Sequence, residues 1–167
     1  GNSAATAGTI ARYAYDVNGN RVQKIEPGAS GQPDKVTAYL VDETFPYAQT
    51  VQETETLGSQ TTSTRYVWGN SLIEQVRGGQ GAFYHPDGLG SVKALTDANG
   101  NLTDTYQYEA FGNVEGHTGT TQNAYRYTGE FFDDVSNLQY NRARWYDASV
   151  GRFTSMDPFA GFPARPV

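Results

Sequence analysis

The sequence predicts an all-β chain of antiparallel hairpins joined into a curved sheet with few or no helices, and three observations carry that prediction. Aromatic residues make up 13% of the chain beside 19 glycines, with only 18% charged residues. Tyr, Phe and Trp suit a half-buried pleated surface, and Gly supplies turns with positive φ. Apolar and polar residues alternate in short runs, the period of a strand with one buried face. Between the runs stand Asn18-Gly19, Leu57-Gly58-Ser59, Gly69-Asn70, Gly78-Gly79 and Asn99-Gly100, the residue types that tolerate left-handed hairpin loops.

In chain order, the strands are read from ARYAYD, RVQKIE, KVTAYLV, YAQTVQETE, STRYVW, SLIEQVR, AFYH, SVKALTD and NLTDTYQYE. Each is flanked by a turn signal, so neighbours in sequence pair as hairpins. Tyr13 and Tyr15 share one face of the first strand, and Tyr106 and Tyr108 share one face of the last. No run shows apolar residues at helical spacing over three turns; DDVSNLQYNRARWYDA has room for one short helical turn. The tail DPFAGFPARPV carries three prolines that lack a ladder donor, which makes it an extended coat or strap rather than a strand.

Composition narrows the function classes. With 12 basic against 18 acidic residues and a net charge of −6, there is no basic footprint for nucleic acid or an anionic membrane, so neither nucleic-acid binding nor membrane insertion is expected. No apolar run reaches the roughly 20 residues of a membrane span. Cysteine is absent, so the expected fold rests on packing and strand pairing without disulfides or thiolate metal sites. At 167 residues the chain suits one body or one slab of a larger one. A start at Gly1 without Met is the start expected of a processed or excised piece.

Two segments, YAYDVNGN from Tyr13 and YQYEAFGN from Tyr106, repeat the pattern Tyr-x-Tyr-acid-x-x-Gly-Asn. They resemble the tyrosine-aspartate (YD) repeats of RHS-type proteins. Residues 39–158 resemble the RHS repeat-associated core, through YLVDETFPYAQTVQET, YVWGNSLIEQVR, YHPDGLGSVKALTDANGNLTDTYQYEAFGN, YRYTGEFFDDVSNLQYNRARWYDASVGRF and MDP. The resemblance implies hairpins joined side by side into a sheet that spirals into a hollow shell, often around a C-terminal toxin. It also implies that the core region plugs that shell and, in some members, cuts the chain just downstream by an aspartyl-type mechanism, and it implies an extracellular or cell-surface setting. The division that follows is a YD-repeat-like segment with an extended N-terminus at 1–38, the core at 39–158 and a Pro-rich tail at 159–167.

The family's self-cleavage positions map by motif onto Arg144 in RARWYD and Asp157 in SMDP. An aspartyl mechanism needs two carboxylates that share a proton; the family's second one lies in a further Asp-Pro-x-Gly motif, which this sequence lacks. Ala160 also stands where the family has Gly, and GFPARPV departs from its Gly-Gly-Asn-Leu-Tyr run. The plain reading is therefore a structural ion pair or aromatic stack for Arg144, a turn cap for Asp157, and no catalysis by this chain alone.

Other constellations are read as structure. The runs Asp16–Asn20 and Asp97–Asn101 superficially suggest calcium, but Gly is fourth rather than sixth, and the twelfth positions are Pro27 and Tyr108 instead of Glu. No metal and no cofactor is expected. His85, Asp87 and Ser91 lack a nucleophile elbow, and GGQGAF is too short for a phosphate loop. Asn101 heads the glycosylation sequon NLT. The expected packing aromatics include Tyr13, Tyr15, Tyr106, Tyr108, Trp145 and Tyr146, with Tyr66, Trp68, Tyr84, Leu89, Leu95, Phe111, Tyr125, Tyr127, Tyr140 and Phe153 beside them.

A slab of such a sheet has first and last strands with unpaired N–H and C=O groups, which template pairing with another chain. The sequence therefore predicts a non-catalytic structural module that self-associates into a polymer or filament through its edges and termini, SAATAGTIARYAY and the tail first among them. The alternative is a wall or plug fragment of a toxin-enclosing RHS shell, whose partner is the remaining shell.

Overall fold

Alternating runs joined by tight turns produce a ten-stranded antiparallel meander. The computed structural model describes residues 10–157. The strands are β1 (Arg12–Tyr15), β2 (Arg21–Glu26), β3 (Lys35–Asp42), β4 (Gln49–Leu57), β5 (Gln60–Trp68), β6 (Leu72–Arg77), β7 (Gln80–Pro86), β8 (Val92–Thr96), β9 (Leu102–Tyr108) and β10 (Val114–Thr118), and spatial order follows chain order. A second antiparallel sheet holds β11 (Phe131–Asp133), β12 (Leu138–Asn141), β13 (Arg144–Asp147) and β14 (Arg152–Phe153). The chain is all-β, as its composition requires, and the large sheet does not close on itself.

Period-two alternation sets the faces. Tyr39 is 6% exposed and its neighbour Leu40 60%, so one face of the sheet carries Tyr39, Tyr66, Tyr84, Leu95 and Tyr106 into the core while the other meets solvent. The core is closed by Phe131 and Tyr140 of the second sheet and by Tyr125 just before it. Rings meet edge to face there, with Tyr66 and Tyr125 centroids 4.9 Å apart and Tyr39 and Phe131 5.9 Å apart, the arrangement that ring quadrupoles favour.

Because neighbouring strands run in opposite directions, the connections after β1, β3, β5, β7 and β9 lie on one rim and the others on the opposite rim. Five register shifts fall beside the first rim, at Ala14/Tyr15, Leu40/Val41, Val67/Trp68, His85/Pro86 and Val114/Gly116. A further one, at Leu95/Thr96, lies toward the other. Such irregularities bend a strand and sharpen its twist, so the first rim is where the sheet curls.

Four loops share one conformation: Asp16–Asn20, Asp87–Ser91, Asp97–Asn101 and Glu109–Asn113. In each, the first N–H donates to the last C=O, and the fourth residue's N–H donates to the first C=O. That fourth residue is Gly19, Gly90, Gly100 or Gly112, with φ of 85, 95, 81 and 97°, values that L side chains rarely adopt. In the three Asp loops Oδ1 also accepts from the third and fifth N–H groups at 2.8–2.9 Å. The carboxylates that superficially suggested calcium are occupied by their own turns.

Several expectations need correction. The stretch DDVSNLQYNRARWYDA holds strands rather than a helical turn, because Asn137 and Arg142, both at φ 56°, turn it into tight hairpins. The 3₁₀ turn lies earlier, at Tyr127–Gly129. Leu89 and Phe111, expected in the core, are exposed at loop tips, Phe153 is exposed, and Tyr15 has one side open to solvent. The Pro-rich tail and the start of SAATAGTIARYAY, on which terminal docking was expected, lie outside the described residues.

Candidate functional site

The second sheet, together with the segment 125–129 that leads into it, sits across the first rim and touches all five of its connections. Tyr140 Oη accepts the Arg21 N–H at 3.1 Å, just past the β1–β2 turn. Arg142 Nε donates to the Ala48 carbonyl at 3.2 Å between β3 and β4. Tyr125 packs its ring 5.3 Å from Trp68 at the end of β5. Thr128 N–H donates to Ser91 Oγ at 3.0 Å on the β7–β8 turn. Tyr127 and Tyr146 donate to the Ala110 and Phe111 carbonyls, each at 2.9 Å, on the β9–β10 turn. The short sheet and its lead-in segment thus form one cap over a rim built from ten strands, and the first and last hairpins meet the same cap.

The crossover from β10 to the cap is pinned by Asp104, whose side chain is inaccessible to solvent. It accepts from Thr121 N–H at 3.0 Å and Thr121 Oγ1 at 2.5 Å. Burial works to raise the Asp104 pKa, but these hydrogen bonds, with those of Thr103 and His117, outweigh it and hold the carboxyl below its ordinary value.

Beneath the cap lies a buried ionic centre. Arg21, 2% exposed, spreads its guanidinium over four rings, 4.1 Å from the centroids of Tyr39 and Phe131, 4.6 Å from Tyr140 and 5.5 Å from Trp145. Asp133 on β11 faces two cations of β2, with Oδ2 3.7 Å from Arg21 Nη1 and 3.3 Å from Lys24 Nζ. Its Oδ1 accepts from the N–H groups of Val135 and Ser136 at 2.9 and 3.2 Å. Lys24 also meets Glu26 at 3.0 Å. Burial pushes the nearby Tyr13 hydroxyl up to about 12.

A cavity of about 410 Å³ opens beside this centre, lined in part by Lys24, Glu26, Glu53, Glu55, Arg77 and Asp133. Glu53 is buried and accepts from Tyr66 Oη at 2.7 Å. Desolvation raises its pKa against the opposing pull of that hydrogen bond and of Arg21. Glu55 is shared by Lys35, at 2.7 Å, and Arg77. These charged pairs line the wall below the cap, where an oily surface would otherwise be expected.

Arg144 and Asp157, the positions matching the family's cleavage apparatus, are brought together: Nη2 lies 2.8 Å from Oδ2, and the guanidinium stacks 3.7 Å over Phe153. The pair is on the outer side of the cap, with Asp157 half exposed. Ser91 Oγ is occupied by Thr128 and is buried, while His85 Nε2 pairs with Thr96 Oγ1 at 2.9 Å; the structure does not assemble His85 with Ser91. Asn101 donates its side-chain amide to Asp97 Oδ2 at 2.9 Å, inside its loop. Among the described residues no group of three metal-ligating side chains occurs.

Of the aromatic candidates, Tyr13 packs 5.0 Å from Trp145, Tyr106 and Tyr108 stack at 6.3 Å, and Tyr146 packs 5.5 Å from Phe153. Tyr15 Oη accepts from Trp145 Nε1 at 3.1 Å. Sequence reading passed over Arg21, Lys24, Glu53 and Asp133, and over Tyr39 and Phe131 that enclose them. Alternation gave no signal for the pair: Arg21 and Lys24 are three residues apart, an odd spacing that places them on opposite faces of a regular strand.

Residues 47–162, more than half of the chain, match the family model described as Teneurin YD-shell. The chain is 34% identical over 155 residues to the tRNA3(Ser)-specific nuclease WapA of Bacillus spizizenii, covering 91% of this chain and 6% of that protein. It is 29% identical over 169 residues to the double-stranded DNA deaminase toxin A of Burkholderia cenocepacia, covering 88% of this chain and 12% of the relative. Among solved structures it superposes on the Photorhabdus luminescens Tc holotoxin pore with a TM-score of 0.73 at 19% identity, over 90% of this chain and 8% of that one. The TcdB2-TccC3 structure gives 0.71 at 20% identity, over 89% and 8%. The chain spans a small part of each of these proteins.

Proposed function

This chain belongs to the Teneurin YD-shell family, and on that premise we propose that it is the wall-and-cap module that closes one end of a β-shell around a toxic cargo, without catalysing a reaction itself. The observation that supports this reading is the cap's contact with all five connections of one rim. Relatives that are named for nuclease and deaminase toxicity align with this chain over 6–12% of their length. On this reading Arg144 and Asp157 form a structural clasp, the module works outside the cell or at its surface, and its partner is the remainder of the shell.

The test is protease protection of the full-length polypeptide that contains this module. A Tyr127→Ala/Tyr140→Ala variant removes two cap contacts; cleavage of the enclosed region is expected to accelerate at least tenfold, with the wall still folded. Equal protection in both proteins would sink the closing role. Mass spectrometry of the isolated chain and of Asp157→Asn, each incubated without protease, is expected to show no backbone cleavage in either.

A second property rests on a separate observation. β1 and β10 are the outer strands of the large sheet, and each pairs on one side only among the described residues. In an isolated chain these edges support strand addition by another copy. Light scattering over a concentration series is expected to show growing mass, and a constant monomer mass would count against it.

A further inference from the structure

Lys24 and Asp133 tie the wall to the cap through atoms that are set up for more than an ion pair. Asp133 Oδ1 is held by two backbone N–H donors, from Val135 and Ser136, the arrangement that stabilises negative charge developing on a carbonyl oxygen. Its other oxygen, Oδ2, makes no hydrogen bond, although Lys24 Nζ stands 3.3 Å away and Arg21 Nη1 3.7 Å. Around it the side-chain oxygens of Tyr13, Thr37, Tyr39 and Ser136 are also buried without a hydrogen bond. A buried polar group without a partner is costly, and a buried charge pair is costlier still unless its geometry is excellent.

We infer that Lys24 and Asp133 condense into an intramolecular amide, a covalent cross-link between β2 of the wall and β11 of the cap. Proton transfer from Nζ to Oδ2 within the pair gives a neutral amine and a neutral carboxyl. The Nζ lone pair attacks Cγ, the N–C bond forms, and negative charge collects on Oδ1 under the Val135 and Ser136 N–H groups. The Cγ–O bond to Oδ2 then breaks and that oxygen leaves as water. Of the three protons on the starting ammonium, one stays on the amide nitrogen and two depart in the water, so no oxidant, reductant or external reactant is needed.

Three features of the surroundings suit this step. Lys24 and Asp133 are held on separate sheets that pack together, so the reacting groups meet without a diffusional search. Glu53, a buried carboxyl that lines the same cavity, is a proton carrier for the exchange between amine and leaving oxygen; burial keeps it protonated above the ordinary carboxyl range. The 410 Å³ cavity that reaches Lys24 and Asp133 gives the released water a way out. Glu26, the other partner of Lys24, sits two residues away on the same strand and is more exposed than Asp133, so only the bond to Asp133 joins the wall to the cap.

Intact mass of the purified 167-residue chain under denaturing conditions tests this directly, with Lys24→Arg as control because it keeps the charge facing Asp133. The native chain is expected to be one water lighter than its sequence, and a digest to yield a branched peptide joining Lys24 to Asp133, with no tryptic cut after Lys24. Lys24→Arg is expected to show the full sequence mass, and Glu53→Gln to slow the water loss at least tenfold. A native chain at full mass overturns the cross-link. So does a lost water that maps elsewhere, such as ring closure at Asp87-Gly88, or one that persists in Lys24→Arg.

Discussion

Glu53 and Asp104 show in opposite ways how a single buried carboxyl governs the stability of this fold. Desolvation raises the Glu53 pKa above its ordinary 4.5. The folded state therefore holds a proton that the unfolded state has released, and stability falls as pH rises through the window above 4.5. Glu53→Gln, which keeps an acceptor for Tyr66, is expected, when both proteins also carry Lys24→Arg so that neither is cross-linked, to unfold at higher urea than its parent at pH 7 and at equal urea at pH 4 in paired titrations. Asp104 acts with the other sign: its lowered pKa contributes stability above 3.8 that is lost as pH falls below. Asp133→Ala leaves Arg21 and Lys24 facing each other in the core without a shared counter-ion, and is expected to cost about 3–5 kcal/mol in the same titrations. None of these roles was legible in sequence, since the partner of Arg21 and Lys24 lies more than a hundred residues downstream. A strand pattern gives the face of a residue but not what covers that face.

Hairpins were the most readable elements, because a tight turn is decided by residues adjacent in the chain. Asn18-Gly19 and Asn99-Gly100 identified their loops, and nine strands of the meander followed from alternation. β10 and β11–β14 did not, being two to five residues long with little alternation. Their existence depends on packing over the rim. Gly112 shows how tightly loop and cap are matched: at φ 97° an added Cβ would overlap the Tyr127 ring. Gly112→Ala combines a strained backbone with that clash and is expected to cost about 2–4 kcal/mol. Gly100→Ala has the same kind of backbone with open space around it and is expected to cost about 1–2 kcal/mol by strain alone. Chemical denaturation of the two variants side by side separates the loop from its contact with the cap.

At the scale of the whole molecule, protection should follow position in the sheet. Amide exchange is expected to be slowest in β5–β8, which have neighbours on both sides, and fastest along the outer edges of β1 and β10. Slow exchange in β1 would mean that another chain covers it. The resemblance in sequence anticipated the shell fold, but not the contacts that tie the second sheet to the rim, because they join residues as far apart as Gly19 and Tyr140. The cap has a fixed span, and every hairpin adds two strands, about 10 Å of arc. An extra hairpin inserted between β1 and β10 would therefore push the first and last loops out of reach of one four-stranded sheet, whereas hairpins added before β1 would leave the closure untouched. If the module closes a shell as proposed, such a vessel lengthens without widening its stopper, and the volume around its cargo changes while the seal does not.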